Sequence, residues 1–329
     1  MPRTLHAQHD CFALSRPFRI ARGVKTAADV ITVTITEEGT AGRGEGVPYP
    51  RYGESVETSL AAIEGIRPAL EAGAGRQELQ SLLPPGAARN AVDCALWDLE
   101  ARRAGVDVAS LAGLAPPGRL VSAITLGIDS PGAMAQLASR HSDAPLLKVK
   151  VDAEDPAARI RAVRAAAPGA ALIVDPNESW DQRLLEDMQS VLLEAEVDLI
   201  EQPVPADSDS WLAGFVPAVP ICADEAIHVA ADLDRIALRY QAVNVKLDKT
   251  GGLTAALDLA HAARARGLIL MTGCMVGSSL SMAPAFHVAT LSDYVDLDGP
   301  LWLLEDREGG VRDEGGMLLP PVPGFWGSP

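Results

Sequence analysis

Short apolar runs alternate with longer amphipathic stretches along most of the chain. Five of the runs end on a charged group: Leu147-Lys148-Val149-Lys150-Val151, Ile173-Val174-Asp175, Leu199-Ile200-Glu201, Ile221-Cys222-Ala223-Asp224-Glu225 and Val243-Asn244-Val245-Lys246. Lys150, Asp175, Glu201, Asp224 and Lys246 follow one another at steps of 25, 26, 23 and 22 positions. Helical patterns fill the gaps, so each step is one β/α unit. Val121–Leu126, Leu268–Met271 and Tyr294–Asp298 extend the series to eight strands, each followed by a helix until the last. The pattern predicts an α/β fold, a modified TIM barrel of (β/α)7β type, over residues 116–299.

The N-terminal third is patterned differently. Asp29 to Thr36 alternates apolar residues with Thr, as a half-buried strand does; Glu37-Glu38-Gly39 then reads as a turn and Gly42 to Pro48 as an extended return. The glycines at 42, 44 and 46 lack the strand–G-x-G-x-x-G–helix setting of a phosphate loop, so they predict a hairpin whose backbone packs closely. Val56, Leu60, Ile63, Ile66 and Leu70 fall on one helix face. Pro84-Pro85-Gly86 breaks the helical run, and Ala88, Ala91, Ala95 and Leu99 mark a small-residue helix beyond it. Residues 1–115 therefore read as an α+β capping domain, with a boundary at Pro116-Pro117-Gly118. Residues 300–329, rich in glycine and proline, read as a return to it.

Composition narrows the function classes. No apolar run reaches the roughly 18 residues of a membrane span, which predicts a soluble globular protein and no membrane partner. A net charge of −16 excludes a nucleic-acid surface and suits a cationic ligand such as a metal ion. The first residues lack the apolar core of a secretory signal, and the four cysteines are scattered with no C-x-x-C pair. A reducing, cytoplasmic location is expected.

Side chains alternate along a strand, so Lys148 and Lys150 share a face while Leu147, Val149 and Val151 take the other. In a barrel the lysines point inward. Mutual repulsion should lower the pKa of at least one, which is how a lysine becomes a base near neutral pH. Asp175, Glu201 and Asp224 each end a strand, and three carboxylates at one end of a barrel make an oxygen-only site suited to Mg²⁺. Lys246 lies four strands from Lys150, on the opposite wall of an eight-stranded barrel, which gives one base per face of a bound ligand. Lys249 reads as a solvated helix-start residue.

Lys148-x-Lys150, Asp175-Pro-Asn177, Glu201-Gln-Pro203, Asp224-Glu225 and Lys246-x-x-Lys249-x-Gly251-Gly252 together resemble the enolase superfamily, in its muconate-lactonizing subgroup, over essentially the whole chain. The resemblance implies one Mg²⁺ held by Asp175, Glu201 and Asp224, binding a substrate carboxylate and stabilising the enediolate formed when the α-proton leaves. It implies Lys150 and Lys246 as the acid–base pair, with Lys148 beside the carboxylate and tuning Lys150. Asp296-Leu297-Asp298-Gly299-Pro300 resembles the Asp-x-Asp of the subgroup's dipeptide epimerases, whose acids receive a substrate ammonium. Gly273 to Ser279 resembles their loop after strand seven, with Cys274 a packing residue rather than a nucleophile.

The implied activity is epimerisation of L-Ala-D/L-Glu-type dipeptides by two-base 1,1-proton transfer, in murein peptide metabolism. A glutamate side-chain carboxylate would need a cation from the capping domain. Arg22 is the candidate, with Arg19 and Lys25 as rivals, and Thr125 is a further candidate ligand contact. A muconate cycloisomerase or o-succinylbenzoate synthase-like lyase would leave Asp296 and Asp298 unemployed. A non-catalytic metal-dependent binding protein would not explain lysines on both walls. Homo-oligomerisation is left open.

Overall fold

The computed structural model describes residues 2–328. The chain begins with an antiparallel sheet of β1 (Thr4–Ile20), β2 (Gly23–Glu37) and β3 (Thr40–Gly46). Against it pack α1 (Val56–Glu71) and α3 (Ala87–Ala104), with α2 (Arg76–Leu82) packed on α3. Ser55 caps α1 through a reciprocal pair of bonds with Thr58, and the predicted stripe Ile63, Ile66, Leu70 is buried against Ile31, Val33 and Ile35. The glycines of β3 have a steric reason: a Cβ on Gly42, Gly44 or Gly46 would collide with the carbonyl oxygens of Ala95, Ala91 or Ala87. The small face of α3 thus lies directly on the strand, as the pattern predicts.

After α4 (Val108–Ala112) the predicted strand 121–126 is two strands. β4 (Leu120–Val121) joins β13 (Arg312–Asp313) and β14 (Met317–Leu319) in a small antiparallel sheet; β5 (Ile124–Leu126) starts the barrel. The break at Ser122 is put to use, because its hydroxyl accepts from Leu297 N at 2.9 Å. The barrel continues through α5 (Pro131–Arg140), β6 (Leu146–Lys150), α6 (Pro156–Ala166), β7 (Ala171–Asp175), α7 (Gln182–Glu194), β8 (Leu199–Glu201), β9 (Ile221–Ala223) and α8 (Leu233–Ile236). It then runs through β10 (Ala242–Val245), α9 (Leu247–Thr250), α10 (Leu253–Ala265), β11 (Ile269–Gly273), α11 (Ser279–Ala289) and β12 (Tyr294–Asp296).

β5 to β12 form one parallel sheet in chain order. Its edges meet where Ala123 N donates to Val295 O at 2.8 Å and Thr125 N to Asp298 Oδ2 at 2.8 Å. The expectation of a helix after every strand fails after β8, where Pro203, Pro205 and a polar run leave only a 3-10 turn, Ser210–Gly214.

Inside the barrel, period-two alternation stacks two layers. Ala123, Leu146, Ile173, Leu199, Cys222, Ala242 and Met271 form an apolar plug. The next inward positions toward the strand C-termini are polar: Thr125, Lys148, Asp175, Glu201, Asp224, Asn244 and Asp296, all buried. The opposite faces, Leu147, Val149 and Val151 among them, pack under the helices. No helix among the described residues is long and apolar enough to cross a membrane.

Candidate active site

Lys150 and Asp175 are ladder partners on β6 and β7, and Lys150 Nζ donates to Asp175 Oδ2 at 2.5 Å and to Asn177 Oδ1 at 3.0 Å. Across the barrel Lys246 Nζ donates to Asp224 Oδ2 at 2.7 Å. Lys148 sits deeper, with Nζ 3.0 Å from Asp175, 2.6 Å from Glu201 and 2.7 Å from Asp296. Asn244 Nδ2 orients Glu201 Oε1 at 2.9 Å. All of these side chains except Asn177 lie within the barrel mouth on strand ends, where inward-pointing positions of a parallel barrel converge.

Neighbouring carboxylates, not the second lysine, govern Lys148. Burial opposes the Lys148 ammonium, but Asp296, Glu201 and Asp175 outweigh it and hold its pKa well above the ordinary value. The Lys148 ammonium is therefore favoured where it stands. Lys246 shifts upward as well: burial works against its charge, and Asp224 and Glu201 more than offset that. Glu201 goes the other way, lifted to about 7 by burial first and by Asp175 next.

Lys249 is a correction: it is 1% exposed, not solvated. The one-turn helix α9 folds it back under the strand end, where it donates to Asp224 Oδ1 at 2.6 Å, Asp224 O at 2.5 Å and Asn244 O at 3.0 Å. The turn ends on Gly251 at φ 79°, and Arg89 of α3 donates from Nε to the Gly251 carbonyl at 3.1 Å. The three-residue spacing Lys246-x-x-Lys249 was the available signal, since it puts both ammonium groups on one side of a helical turn.

The residue types fit a divalent cation. Asp175, Glu201 and Asp224 end three successive strands, are at most 2% exposed, and offer only oxygen donors. Glu201 Oε2 is buried with no aligned hydrogen-bond donor, although Lys148 Nζ is near. As the side chains stand, no three carboxylates among the described residues converge on one point, because ammonium groups lie between them.

Asp296 and Asp298 both line the cavity. Asp298 is held by Thr125 N and, at 3.3 Å, by Trp302 Nε1; burial and then Asp296 raise its pKa to about 6. Thr125 Oγ1 lies 3.5 Å from Asp296 Oδ1, so Thr125 faces the cavity and also positions the acid pair. Cys274 lines the cavity too, and burial pushes its thiol well above the usual range.

The capping side is formed by Phe18, Ile20, Arg22, Lys25, Tyr49 and Tyr52. Arg22 already has acidic partners: Glu225 Oε1 at 2.5 Å and Glu178 Oε2 at 3.1 Å, with Tyr49 Oη at 3.2 Å. Lys25 has none within 4 Å among the described residues; its Nζ lies 4.8 Å over the Tyr49 ring, and burial and then Arg22 lower its pKa. Arg19 lines a different cleft with Arg16, Gly127 and Trp302. Glu178 and Glu225, whose partners no local pattern announces, thus anchor the capping unit to the barrel mouth. The cavity, partly open to solvent, has about 60 Å³ of free volume.

Residues 133–325 match the enolase C-terminal domain-like family, and residues 3–113 the mandelate racemase/muconate lactonizing enzyme N-terminal domain. The chain belongs to the enolase superfamily. This member is 46% identical over 318 residues to an L-Ala-D/L-Glu epimerase of Escherichia coli strain K12, covering 96% of this chain and 99% of the relative. It is 44% identical over 300 residues to an N-acetyl-D-glutamate racemase of Pseudoalteromonas sp., covering 91% and 95% of the two chains. A crystal structure of an enolase family member from Agrobacterium tumefaciens, described as homologous to dipeptide epimerases and carrying sodium and L-Ala-L-Glu, superposes with a TM-score of 0.97. It has 48% identity and covers 99% of this chain and 100% of that one.

Proposed function

We propose that the protein is a Mg²⁺-dependent isomerase that epimerises L-Ala-D/L-Glu-type dipeptides by two-base 1,1-proton transfer. The observation that carries this reading is the pair of buried lysines, Lys150 and Lys246, on opposite walls of one cavity with carboxylates between them. The chain works as a barrel, 116–299, capped by residues 1–115 with the return of 300–329.

Asp175, Glu201 and Asp224 hold the metal, which when bound neutralises the substrate carboxylate and the charge that builds there as the α-proton leaves. Lys148, whose ammonium Asp296, Glu201 and Asp175 favour, adds charge on the same side. One lysine, neutral at the start, takes the α-proton and becomes an ammonium. The other, an ammonium at the start, delivers a proton to the opposite face and becomes neutral, and the reverse reaction exchanges the roles. Asp296 and Asp298 receive the substrate ammonium. For the glutamate carboxylate, Lys25 is the better-supported cation, because Arg22 is already neutralised by Glu178 and Glu225. This activity belongs to the breakdown or recycling of bacterial cell-wall peptide in a reducing cytoplasm, in keeping with four free cysteines.

Proton NMR in D₂O tests the reading. L-Ala-D-Glu should gain α-deuterium and epimerise, and N-acetyl-D-glutamate, which offers Asp296 and Asp298 no ammonium, should do so far more slowly. Faster turnover of N-acetyl-D-glutamate would reassign the substrate, and no exchange with either would reject the activity.

A further inference from the structure

Resting on the proposed dipeptide activity, the cavity assigns three of the four substituents of the reacting carbon. The carboxylate goes to the cation that Asp175, Glu201 and Asp224 would hold; the proton lies on the Lys150–Lys246 axis; and the nitrogen-linked residue reaches Asp296 and Asp298. The fourth substituent, the side chain of the second residue, is left with the capping side, where Lys25, Tyr49, Tyr52 and Val276 form the wall.

That wall is thin. Lys25 and Val276 also line a second cleft, of about 540 Å³, between β2 and the start of α1. Its other surfaces are mixed and partly polar, with Thr26, Ser55, Glu57 and an Asp29–His9 pair at 2.8 Å. Two of the four wall residues at the side-chain end of the substrate site, Lys25 and Val276, therefore also face this second cleft. One of them is a lysine with no carboxylate within 4 Å among the described residues to hold it. A fixed backbone wall would limit the side chain's length; Lys25 can swing aside.

We propose that this cleft is an outer subsite, and that the protein also epimerises peptides in which the glutamyl side-chain carboxyl is prolonged by an amide-linked polar residue. The chemistry at the reacting carbon is unchanged: one proton leaves the α-carbon, one returns, and no bond in the extension is made or broken. Lys25 Nζ then donates to the γ-amide oxygen. A tripeptide extended instead through the α-carboxyl lacks the free carboxylate the metal site takes, and is rejected.

Deuterium incorporation is followed for L-Ala-D-Glu, for the γ-linked tripeptide L-Ala-γ-D-Glu-Gly and for its α-linked isomer, all with the Mg²⁺-loaded full chain. The first two should exchange and the third should not. Turnover of the dipeptide without the γ-linked tripeptide overturns the proposal, as does equal turnover of both tripeptides. Failure of all three instead rejects the underlying activity. Thr26→Trp, which fills the outer cleft, should lower kcat/KM for the γ-linked tripeptide at least tenfold and leave the dipeptide unchanged. Equal loss on both substrates, or on neither, also overturns it.

Discussion

Lys249 grips Asp224 twice, through a carboxylate oxygen at 2.6 Å and the main-chain carbonyl at 2.5 Å, from a position almost without solvent contact. Lys246 holds the other carboxylate oxygen, so two lysines one helical turn apart fix the orientation of one acid. Outer partners of this kind tune metal ligands. Lys249→Ala should weaken Mg²⁺ binding about 10- to 100-fold, read by calorimetric titration of the purified variant. An unchanged Kd would remove Lys249 from the metal site.

The lysines on opposite walls should fail separately. In Lys150→Ala, epimerisation should fall by roughly 10³-fold or more, as expected when a positioned base is lost, while Lys246 still exchanges the α-proton of one epimer. Lys246→Ala should show the mirror-image preference. Monitoring each pure epimer in D₂O distinguishes this from a one-base mechanism, in which one variant would keep exchanging both epimers.

Glu178 ties two capping arginines to the barrel rim: Arg51 bidentately at 2.9 Å for each bond, and Arg22 at 3.1 Å. It does so from a left-handed backbone, φ 66°, with its own carboxylate also accepting from Ala206 N at 2.9 Å. Glu178→Gln should loosen the cap over the cavity and raise KM about tenfold, equivalent to about 1.4 kcal/mol, with kcat nearly unchanged. Because the arginine partners are partly exposed, the wild-type KM should rise with salt and the variant's should not. A fall in kcat at constant KM would contradict this.

Asp248 is buried, accepts from Val47 N and Asn90 Nδ2, each at 2.8 Å, and burial is the first cause of its pKa rising to about 7. A carboxyl raised in the folded state binds its proton more tightly there than in the unfolded chain. Its contribution therefore favours folding at low pH and is lost as pH climbs from about 4 toward 7. The shift sets an upper bound of about 4 kcal/mol at about 1.4 kcal/mol per unit. Asp248→Asn should flatten that part of the stability–pH curve in urea titrations at several pH values; an identical slope would exclude Asp248 as its source.

The parts of the site readable in the sequence are those governed by local periodicity. A two-residue alternation fixes that Lys148 and Lys150 face inward together, and the repeat of β/α units fixes that Asp175, Glu201 and Asp224 end successive strands. Gly42, Gly44 and Gly46 announced their close contact with a helix because only the absence of a Cβ allows it. The tertiary structure decided the rest, because it depends on which distant charges meet. Arg22 by its sequence alone suits an anionic ligand, but Glu225 and Glu178 stand beside it, and Lys25 is distinguished only by lacking such partners. Lys249 looked solvated because a lysine opening a short helix usually is; its burial follows from Arg89 seating the turn from another part of the chain. Local pattern places side chains on faces, but whether a charge is free or neutralised is set by neighbours that the sequence keeps far apart.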